Sequence, residues 1–294
     1  MSGMNGGIME SQQAQAAAGY APPALPFASF PPAASVPGQV RRALDLNNAY
    51  LVSDGTYWNP LNGQAVIANS HNTNLTIQSL SEALITAVAF PAGFVRAGSR
   101  IRTWSRWSVP AVGTELRWNR LYMGAVGSGI KVSQQAYQLA HNLSSLVVQA
   151  SLLNISTVIS TNSPVRNNAI SSPGLYISTN LDSNAPVVNF GAPWEISFSG
   201  TSCAETSKTA VTATWAAGVA TFAKTGHGYA TGDKVVNTLF DLGGYNGTLI
   251  VTGAPSTDTW TAAIAADPGG AGTGGSTSRI SNVTLVDYLI EWLQ

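Results

Sequence analysis

The chain has 294 residues, of which only 10% are charged, and its 14 Lys and Arg residues balance its 14 Asp and Glu residues. Because an ordinary soluble domain carries about 25% charged residues, this composition argues against long-range attraction to nucleic acid or to an anionic membrane. The single cysteine, Cys203, excludes a disulfide within the chain. Proteins held in large assemblies can tolerate so little charge, because they need not stay dispersed as free monomers; the alternative is a monomer with an unusually neutral polar surface.

Residues 1–45 are predicted to form an extended anchoring arm rich in Ala and Pro. Glu10 is the only charged residue before Arg41, and the prolines prevent a continuous helix or a central strand. The arm also carries large apolar side chains that a plain linker does not need, at Tyr20, Leu25, Phe27 and Phe30. These residues predict that the arm docks on a partner, and the alternative is a flexible tail.

The first residues, MSGMNGGIMESQQ, lack the basic start and the apolar core of a signal peptide. The sequence also contains no uninterrupted apolar run of about 20 residues, the length that a transmembrane helix needs. We therefore expect neither secretion through a leader nor membrane insertion.

The loop SDGTYWNPLNG (53–63) places Tyr57 and Trp58 among residues that favour turns. We interpret it as a lock that holds the exit of the arm against the base of the following β domain or against a neighbouring subunit. Sugar binding by the two aromatic rings is the alternative. The preceding stretch, 41–52, fits either a short helix or a strand.

From residue 72 onward the chain reads mainly as short strands rich in β-branched and aromatic residues, separated by Gly, Pro, Asn and Ser. A helix is an alternative only around 133–150. In the last strand, strict alternation places Val283, Leu285, Asp287, Leu289 and Glu291 on one face. The pattern predicts an all-β fold, a jelly roll or β-sandwich built from 46–205 and 280–294.

An arginine- and tryptophan-rich stretch is the most distinctive candidate for a contact surface. Alternation places Arg102, Trp104 and Arg106 on one strand face and Trp107 on the other, and Trp118 follows in the next strand. Arginine beside tryptophan can stack on sugars or form cation–π contacts, and both residue types are enriched in protein interfaces. These residues, together with Tyr57 and Trp58, are therefore predicted to contact another subunit or a glycan.

Residues 206–279 are predicted to form a small β module inserted before the last strand. Its strands are shorter and its glycines denser than those of the flanking chain, and three of the four lysines lie in it. The stretch GGAGTGGSTS near its end has the composition of a flexible linker. The module would interrupt two strands that are natural antiparallel neighbours.

Several segments resemble structural proteins of tailed bacteriophages. TFAKTGHGYATGDKVV (221–236), YNGTLIVTG (245–253), DTWTAAI (258–264) and DPGGAGTGG (267–275) resemble small β modules that recur in those proteins. SDGTYWNPLNGQ resembles the segment before the β domain of fibre and decoration proteins, and AFPAGFVRAGSRIRTWSRWSV resembles the start of their jelly roll, except that Ser99 stands where an acidic residue is common. The resemblance implies a virion surface protein, usually a trimer.

The residues indicate no catalytic, cofactor or metal site. His71, His141 and His227 lack the spacing of metal ligands, and the acidic residues are scattered singly, without the local pairing that would suggest a glycosidase. His227, beside Asp233, could be a general base, but a histidine in a turn is the simpler interpretation.

These observations predict a non-enzymatic virion structural protein. We expect a homotrimeric capsid decoration protein, of the cement or head-fibre type, that attaches to the major capsid protein through its N-terminal arm on the virion surface. The alternative is a short tail fibre or receptor-binding protein, bound to a tail or adaptor protein, that recognises host surface glycans.

Overall fold

The computed structural model describes residues 22–71, 73–94, 99–109, 117–137, 141–154, 157–161, 176–178 and 192–293. Within these ranges the chain consists of strands and loops, with helical residues only in three short 3-10 turns, Phe27–Ser29, Ala33–Ser35 and Gly243–Tyr245. The predicted all-β class is therefore confirmed, and the stretches 41–52 and 133–150 form strands where they are described.

The strands in chain order are β1 (Ala24–Leu25), β2 (Val40–Ala43), β3 (Ala49–Ser53), β4 (Trp58–Pro60), β5 (Gln64–Ser70), β6 (Leu75–Ile77), β7 (Ala83–Phe90), β8 (Arg100–Val109), β9 (Arg117–Met123), β10 (Ile130–Tyr137), β11 (His141–Asn154), β12 (Thr157–Thr161), β13 (Tyr176–Ser178), β14 (Trp194–Thr201), β15 (Lys208–Ala216), β16 (Val219–Ala223), β17 (Lys234–Thr238), β18 (Gly247–Gly253), β19 (Thr259–Ala263), β20 (Gly272–Arg279) and β21 (Val283–Leu293).

Eight of these strands pair in a nested order: the first of the eight pairs with the eighth, the second with the seventh, the third with the sixth, and the fourth with the fifth. The antiparallel pairs are β5 with β21, β7 with β14, β8 with β11, and β9 with β10. The chain thereby forms two sheets, ordered β12-β11-β8-β21-β5 and β13-β10-β9-β14-β7, with β6 also paired to β21. This nesting is what rolling up one long antiparallel hairpin produces, and it confirms the predicted jelly roll.

The two sheets pack face to face through aromatic side chains. The ring of Trp107, on β8, lies 6.5 Å from the ring of Phe198, on β14 of the other sheet. Phe198 in turn lies 5.1 Å from Tyr288, on β21. Each large apolar side chain that is fully buried contributes about 1.5–3 kcal/mol, so this inner layer is the main source of stability of the sandwich.

A β-bulge in the last strand, β21, changes which of its residues face the core. Its pairing with β8 shifts register between Leu285 and Asp287. Leu285 therefore packs in the core, opposite Trp107, whereas Asp287 faces outward, opposite Arg106. The expectation that Leu285 and Asp287 share a face is wrong, because one extra residue inverts the alternation for the rest of a strand.

The first four strands form a separate small sheet, ordered β1-β2-β3-β4. Leu46, Leu51 and Trp58 of this N-terminal sheet belong to the same buried cluster as the core of the sandwich. The turn between β2 and β3 contains Asn47 and Asn48 with φ of 52° and 60°, a left-handed conformation that asparagine tolerates better than most residues. The described part of the arm is thus folded against its own chain.

Strands β15 to β20 close into a barrel in the order β15-β16-β19-β18-β17-β20. The barrel has its own core, in which Phe222, Tyr245 and Trp260 are fully buried. The chain enters and leaves it beside a bridge between Ala204 and Ile280. The barrel is therefore inserted between β14 and β21, the seventh and eighth strands of the jelly roll.

The stretch GGAGTGGSTS is not a flexible linker as predicted, because most of it forms β20, paired with β15 and β17. Two glycines of β20 leave room for the rings that fill the barrel. A Cβ atom at Gly272 would lie 2.6 Å from Cδ2 of Tyr245 and 3.1 Å from Cδ1 of Phe240. The ring of Tyr245 cannot easily move aside, because its hydroxyl donates a hydrogen bond of 2.6 Å to the carbonyl of Gly270. Gly275 similarly faces the ring of Phe240.

Substitution Gly272→Ala should lower the free energy of unfolding of the barrel by about 1–3 kcal/mol, the usual effect of overpacking. Urea denaturation followed by tryptophan fluorescence measures it. Gly243→Ala is the matched control, because a Cβ atom there meets nothing within 4 Å. Equal effects of the two substitutions would contradict this account of the barrel core.

Candidate functional site

The loop between β3 and β4 is held by the side chain of Asp54. Its Oδ1 atom accepts hydrogen bonds from the backbone N–H groups of Thr56 and Tyr57, at 2.7 and 2.6 Å. Its Oδ2 atom accepts from the side-chain amide of Asn59, at 2.7 Å. The loop is therefore rigid, with Tyr57 46% exposed and Trp58 buried.

Trp58 fastens the arm to the chain's own N-terminal sheet. Its ring packs edge-on against Phe30, with centroids 4.9 Å apart, and its Nε1–H group donates to the carbonyl of Pro31 at 3.0 Å. The hydroxyl of Ser53 donates to the carbonyl of Ala33 at 2.6 Å. We call these contacts the arm clasp.

The predicted anchoring residues divide into two groups. Phe27 and Phe30 pack against the chain's own core, where Phe27 also contacts Phe94 at 6.1 Å between ring centroids. Leu25 is 37% exposed. Tyr20 lies outside the described residues. Attachment to another protein through the arm stays a prediction. Of the three described anchoring residues, Leu25, Phe27 and Phe30, Leu25 is the most accessible.

The outer face of the six-stranded sheet carries the arginine- and tryptophan-rich stretch. Three cross-strand pairs join β8 to β21: Arg102 opposite Glu291, Trp104 opposite Leu289, and Arg106 opposite Asp287. Both charged pairs are ion pairs; Arg102 Nε lies 2.5 Å from Glu291 Oε2, and Arg106 contacts Asp287. We call this arrangement the outer ladder.

The exposure of these charges is uneven. The side chains of Arg102 and Arg106 are 37% and 29% exposed, whereas those of Glu291 and Asp287 are 13% and 6% exposed. The carboxylates thus lie under the guanidinium groups, and the hydrogen bond to Glu291 raises the pKa of Arg102. His71, 81% exposed, lies 3.6 Å from Asp287 at one end of the ladder.

Trp107 lies in the core and not on the outer ladder. Its ring is fully buried, and its Nε1–H group donates to the hydroxyl of Ser105 at 2.8 Å. Period-2 alternation places it on the inner face with Ile101 and Thr103, which are also buried. Trp107 therefore packs between the sheets, and of the predicted contact residues on β8 only Arg102, Trp104 and Arg106 lie on the outer face; their contact with another molecule stays a prediction.

The other sheet carries a polar cluster around Glu82, which the sequence did not reveal. The carboxylate accepts hydrogen bonds from Arg120 at 2.5 Å, from the Tyr122 hydroxyl at 3.0 Å and from Ser199 at 2.5 Å. The guanidinium of Arg120 also lies 5.6 Å from the ring of Trp118. Trp118 is therefore already engaged in a cation–π contact within its own chain.

This cluster perturbs the titration of Tyr122. Burial, and next the neighbouring Glu82 carboxylate, raise the pKa of Tyr122 from 10.0 to about 12. Because the folded protein holds this proton more tightly than the unfolded chain, its contribution to stability is complete below about pH 10 and is lost as the pH rises toward 12.

His227 has a structural role in the barrel, whereas the side chain of His141 lies outside the described residues. His227 is buried, and its Nε2 atom lies 3.0 Å from the carbonyl of Ser256 and 3.1 Å from that of Thr259. Its Nδ1 atom accepts a hydrogen bond from the backbone N–H of Tyr229 at 2.9 Å. Both ring nitrogens are thus used to brace loops of the barrel, which agrees with the interpretation as a turn histidine.

Among the described residues no group of three His, Cys, Asp or Glu side chains is placed to hold a metal ion. Cys203 is buried, with its sulfur 3.6 Å from the hydroxyl of Ser281. In the same described ranges, no helix has the length and apolar character needed to cross a bilayer.

The sequence matches no protein-family model and no curated protein. Similarity is found to solved structures. The endosialidase of phage phi92 is 16% identical over 62% of this chain and 31% of its own, with a TM-score of 0.24. This chain therefore spans about a third of the endosialidase chain.

Two further structures come from a phage and a virus. The CBM2 module of the evolved Dit protein of Lactobacillus casei BL23 phage J-1 is 12% identical, with coverage of 70% of this chain and 68% of its own and a TM-score of 0.20. A structure described as the triple jelly roll fold and turret assembly of an archaeal virus is 9% identical, covers 73% and 60%, and has a TM-score of 0.15. At these TM-scores the likenesses carry no argument about this chain.

Substitution Trp58→Ala should release the arm clasp and lower the free energy of unfolding by about 3–5 kcal/mol, as truncation of a buried aromatic usually does. Trp58→Phe, which keeps a ring but loses the N–H donor, should cost about 0.5–1.5 kcal/mol. Urea denaturation measures both changes, and limited proteolysis reports cleavage within 22–45. A cost for Tyr57→Ala as large as that for Trp58→Ala would contradict the clasp.

Substitution Tyr122→Phe should flatten the loss of stability between pH 10 and 12, because it removes a group whose pKa is raised to about 12 in the folded protein. The free energy of unfolding, measured in urea at pH 9, 10, 11 and 12, tests this. Tyr50→Phe, at a side chain that is 45% exposed, is the control. Parallel pH profiles for Tyr122→Phe and the unsubstituted protein would rule the account out.

Proposed function

We propose that the protein is a non-enzymatic structural protein of a bacteriophage virion: a trimeric capsid decoration protein of the cement or head-fibre type. It attaches to the major capsid protein through its N-terminal end and lies on the virion surface. The jelly roll, the resemblance of its sequence motifs to phage fibre and decoration proteins, and the low charge of the chain support this proposal.

The observation that carries the proposal is the concentration of exposed apolar side chains in the N-terminal sheet. Leu25, Leu44, Tyr50 and Tyr57 are 37%, 46%, 45% and 46% exposed, although all lie within four short strands and their turns. The register places Tyr50 on the face of Arg42 and Leu25 on the opposite face, beside Ala43. Both faces of this sheet therefore present exposed apolar side chains of the kind that contact other proteins. Buried side chains of this sheet belong to the core of the sandwich, which fixes the sheet on it.

Arg42 gives the same surface a polar contact point. The register of β1, β2 and β3 places Ala24, Arg42 and Tyr50 side by side on one face of the N-terminal sheet. The Nε atom of Arg42 is buried and has no hydrogen-bond partner among the described residues. Arg42 is itself partly exposed on this face, so a carboxylate or carbonyl of the bound protein can pair with its guanidinium.

The acidic side chains on the two outer faces support a non-enzymatic role. Glu82, Asp287 and Glu291 each form an ion pair with an arginine. Carboxylates held in this way serve structural ion pairs, whereas a glycosidase uses one carboxylic acid with a raised pKa and a second carboxylate facing it across the sugar.

The alternative is a short tail fibre or receptor-binding protein that uses the same N-terminal surface to attach to a tail or adaptor protein. The outer ladder, with a half-buried tryptophan between two arginines, is the observation that favours it. The two functions differ in the part of the particle to which the protein attaches.

A binding assay with separated phage parts tests the proposal. The full chain should bind purified tail-less heads that lack this protein, and it should sediment as a trimer. Tyr50→Asp should weaken head binding at least about tenfold, because it places a charge within an apolar contact. Leu84→Asp, at a side chain that is 51% exposed on β7, is the matched control.

Binding to tails but not to heads would replace the capsid role with the tail-fibre role. Binding to neither part, or equal loss with Tyr50→Asp and Leu84→Asp, would contradict the proposed attachment surface.

A further inference from the structure

We propose that the outer ladder is a binding site for a short neutral oligosaccharide, with the ring of Trp104 as its stacking platform. This function goes beyond attachment to the particle and uses residues on a different surface, so either proposal can fail without the other. The argument rests on the spacing, the charge balance and the accessibility of the ladder.

The spacing of the ladder suits a chain of sugar rings. Strand residues rise about 3.3 Å each, so Arg102 and Arg106 lie about 7 Å on either side of Trp104 and about 13 Å from each other along β8. A pyranose ring stacked on the indole can therefore place hydroxyl groups toward both ion pairs. The outward direction of all three side chains follows from their alternation with the buried Ile101 and Thr103.

The charge balance favours a neutral ligand. Two arginines and two carboxylates sum to zero, and each guanidinium lies directly on a carboxylate. A neutral sugar hydroxyl can accept a hydrogen bond from the exposed part of either guanidinium. An acidic sugar would gain attraction from Arg102 or Arg106 but meet repulsion from Glu291 or Asp287 a few ångströms below, so it has no net advantage.

The accessible groups of the ladder are mainly donors. Arg102 and Arg106 are 37% and 29% exposed at their side chains, and His71, 81% exposed, stands at the Asp287 end. Arg102 and Arg106 are oriented before a ligand arrives, because their ion pairs hold the guanidinium groups in place. Preorganised polar groups around an aromatic ring lower the entropic cost of binding.

The other tryptophans predicted at contact surfaces are engaged elsewhere. Trp58 lies in the arm clasp against Phe30, Trp107 is fully buried between the sheets, and Trp118 lies against the guanidinium of Arg120. Trp104 remains half-buried on the outer face, opposite an apolar residue, Leu289. Within that set, the geometry points to Trp104 as the platform.

The test is titration of the full chain with three neutral trisaccharides, maltotriose, cellotriose and chitotriose, and with the acidic trisaccharide 3′-sialyllactose, by calorimetry and ligand-observed NMR. At least one neutral trisaccharide should bind. Trp104→Ala should weaken that binding by about tenfold or more, which corresponds to about 1.4 kcal/mol, and Trp104→Phe should weaken it less. Trp118→Phe is the matched control and should leave the affinity unchanged.

Three outcomes would overturn the proposal: no binding of any neutral trisaccharide, equal binding by the Trp104→Ala variant with an unchanged urea midpoint, or tighter binding of 3′-sialyllactose than of the neutral sugars. Dissociation of an oligomer by Trp104→Ala, seen in sedimentation velocity, would also overturn it and identify the ladder as a subunit contact. The head-binding assay is independent of these four outcomes, because it tests the N-terminal surface around Tyr50 and not the outer ladder.

Discussion

The structure depends on the pairing of its last strand between β5 and β8. Strand β21 lies inside the six-stranded sheet, so it supplies side chains to both faces of that sheet. Inward, Ile290 and Trp292 join the core; outward, Asp287 and Glu291 hold the two arginines of β8. Because this pairing joins the two ends of the jelly roll, both the sandwich core and the outer ladder require side chains of β21.

The same closure explains where the additional parts are attached. The barrel enters between β14 and β21 at the Ala204–Ile280 bridge, so both of its ends leave from one place and the nested pairing is undisturbed. The N-terminal sheet adds its apolar side chains to the existing sandwich core instead of building a core of its own. A four-stranded sheet this small needs such support, because isolated short strands are marginally stable in water.

The sequence predicted the fold class and the jelly roll well, because both depend on local signals: alternation, β-branched residues and turn residues. It also placed Arg102, Trp104 and Arg106 on one face correctly. Alternation shows which residues share a face but not which face is inside. Trp107 was therefore included in a contact surface although it is buried, since the inner face of β8 also carries the polar residues Thr103 and Ser105.

Features that depend on distant parts of the chain could not be read from the sequence. The bulge before Asp287 reverses the phase of β21, and no local residue pattern marks it. The cluster of Glu82 with Arg120, Tyr122 and Ser199 unites three strands or their flanks that lie far apart in the chain. Likewise, aromatic residues of the arm suggested docking on a partner, whereas Phe27 and Phe30 pack on the chain's own core.

The most direct test of the central claim, a virion protein attached through its N-terminal end, is cryo-electron microscopy of the intact particle with this chain located in the density. The account predicts density at three-fold or quasi-three-fold positions of the shell, with the N-terminal sheet against the capsid and the outer ladder facing solvent. Density confined to the tail, density with the N-terminal sheet pointing away from the shell, or particles without the chain would contradict it.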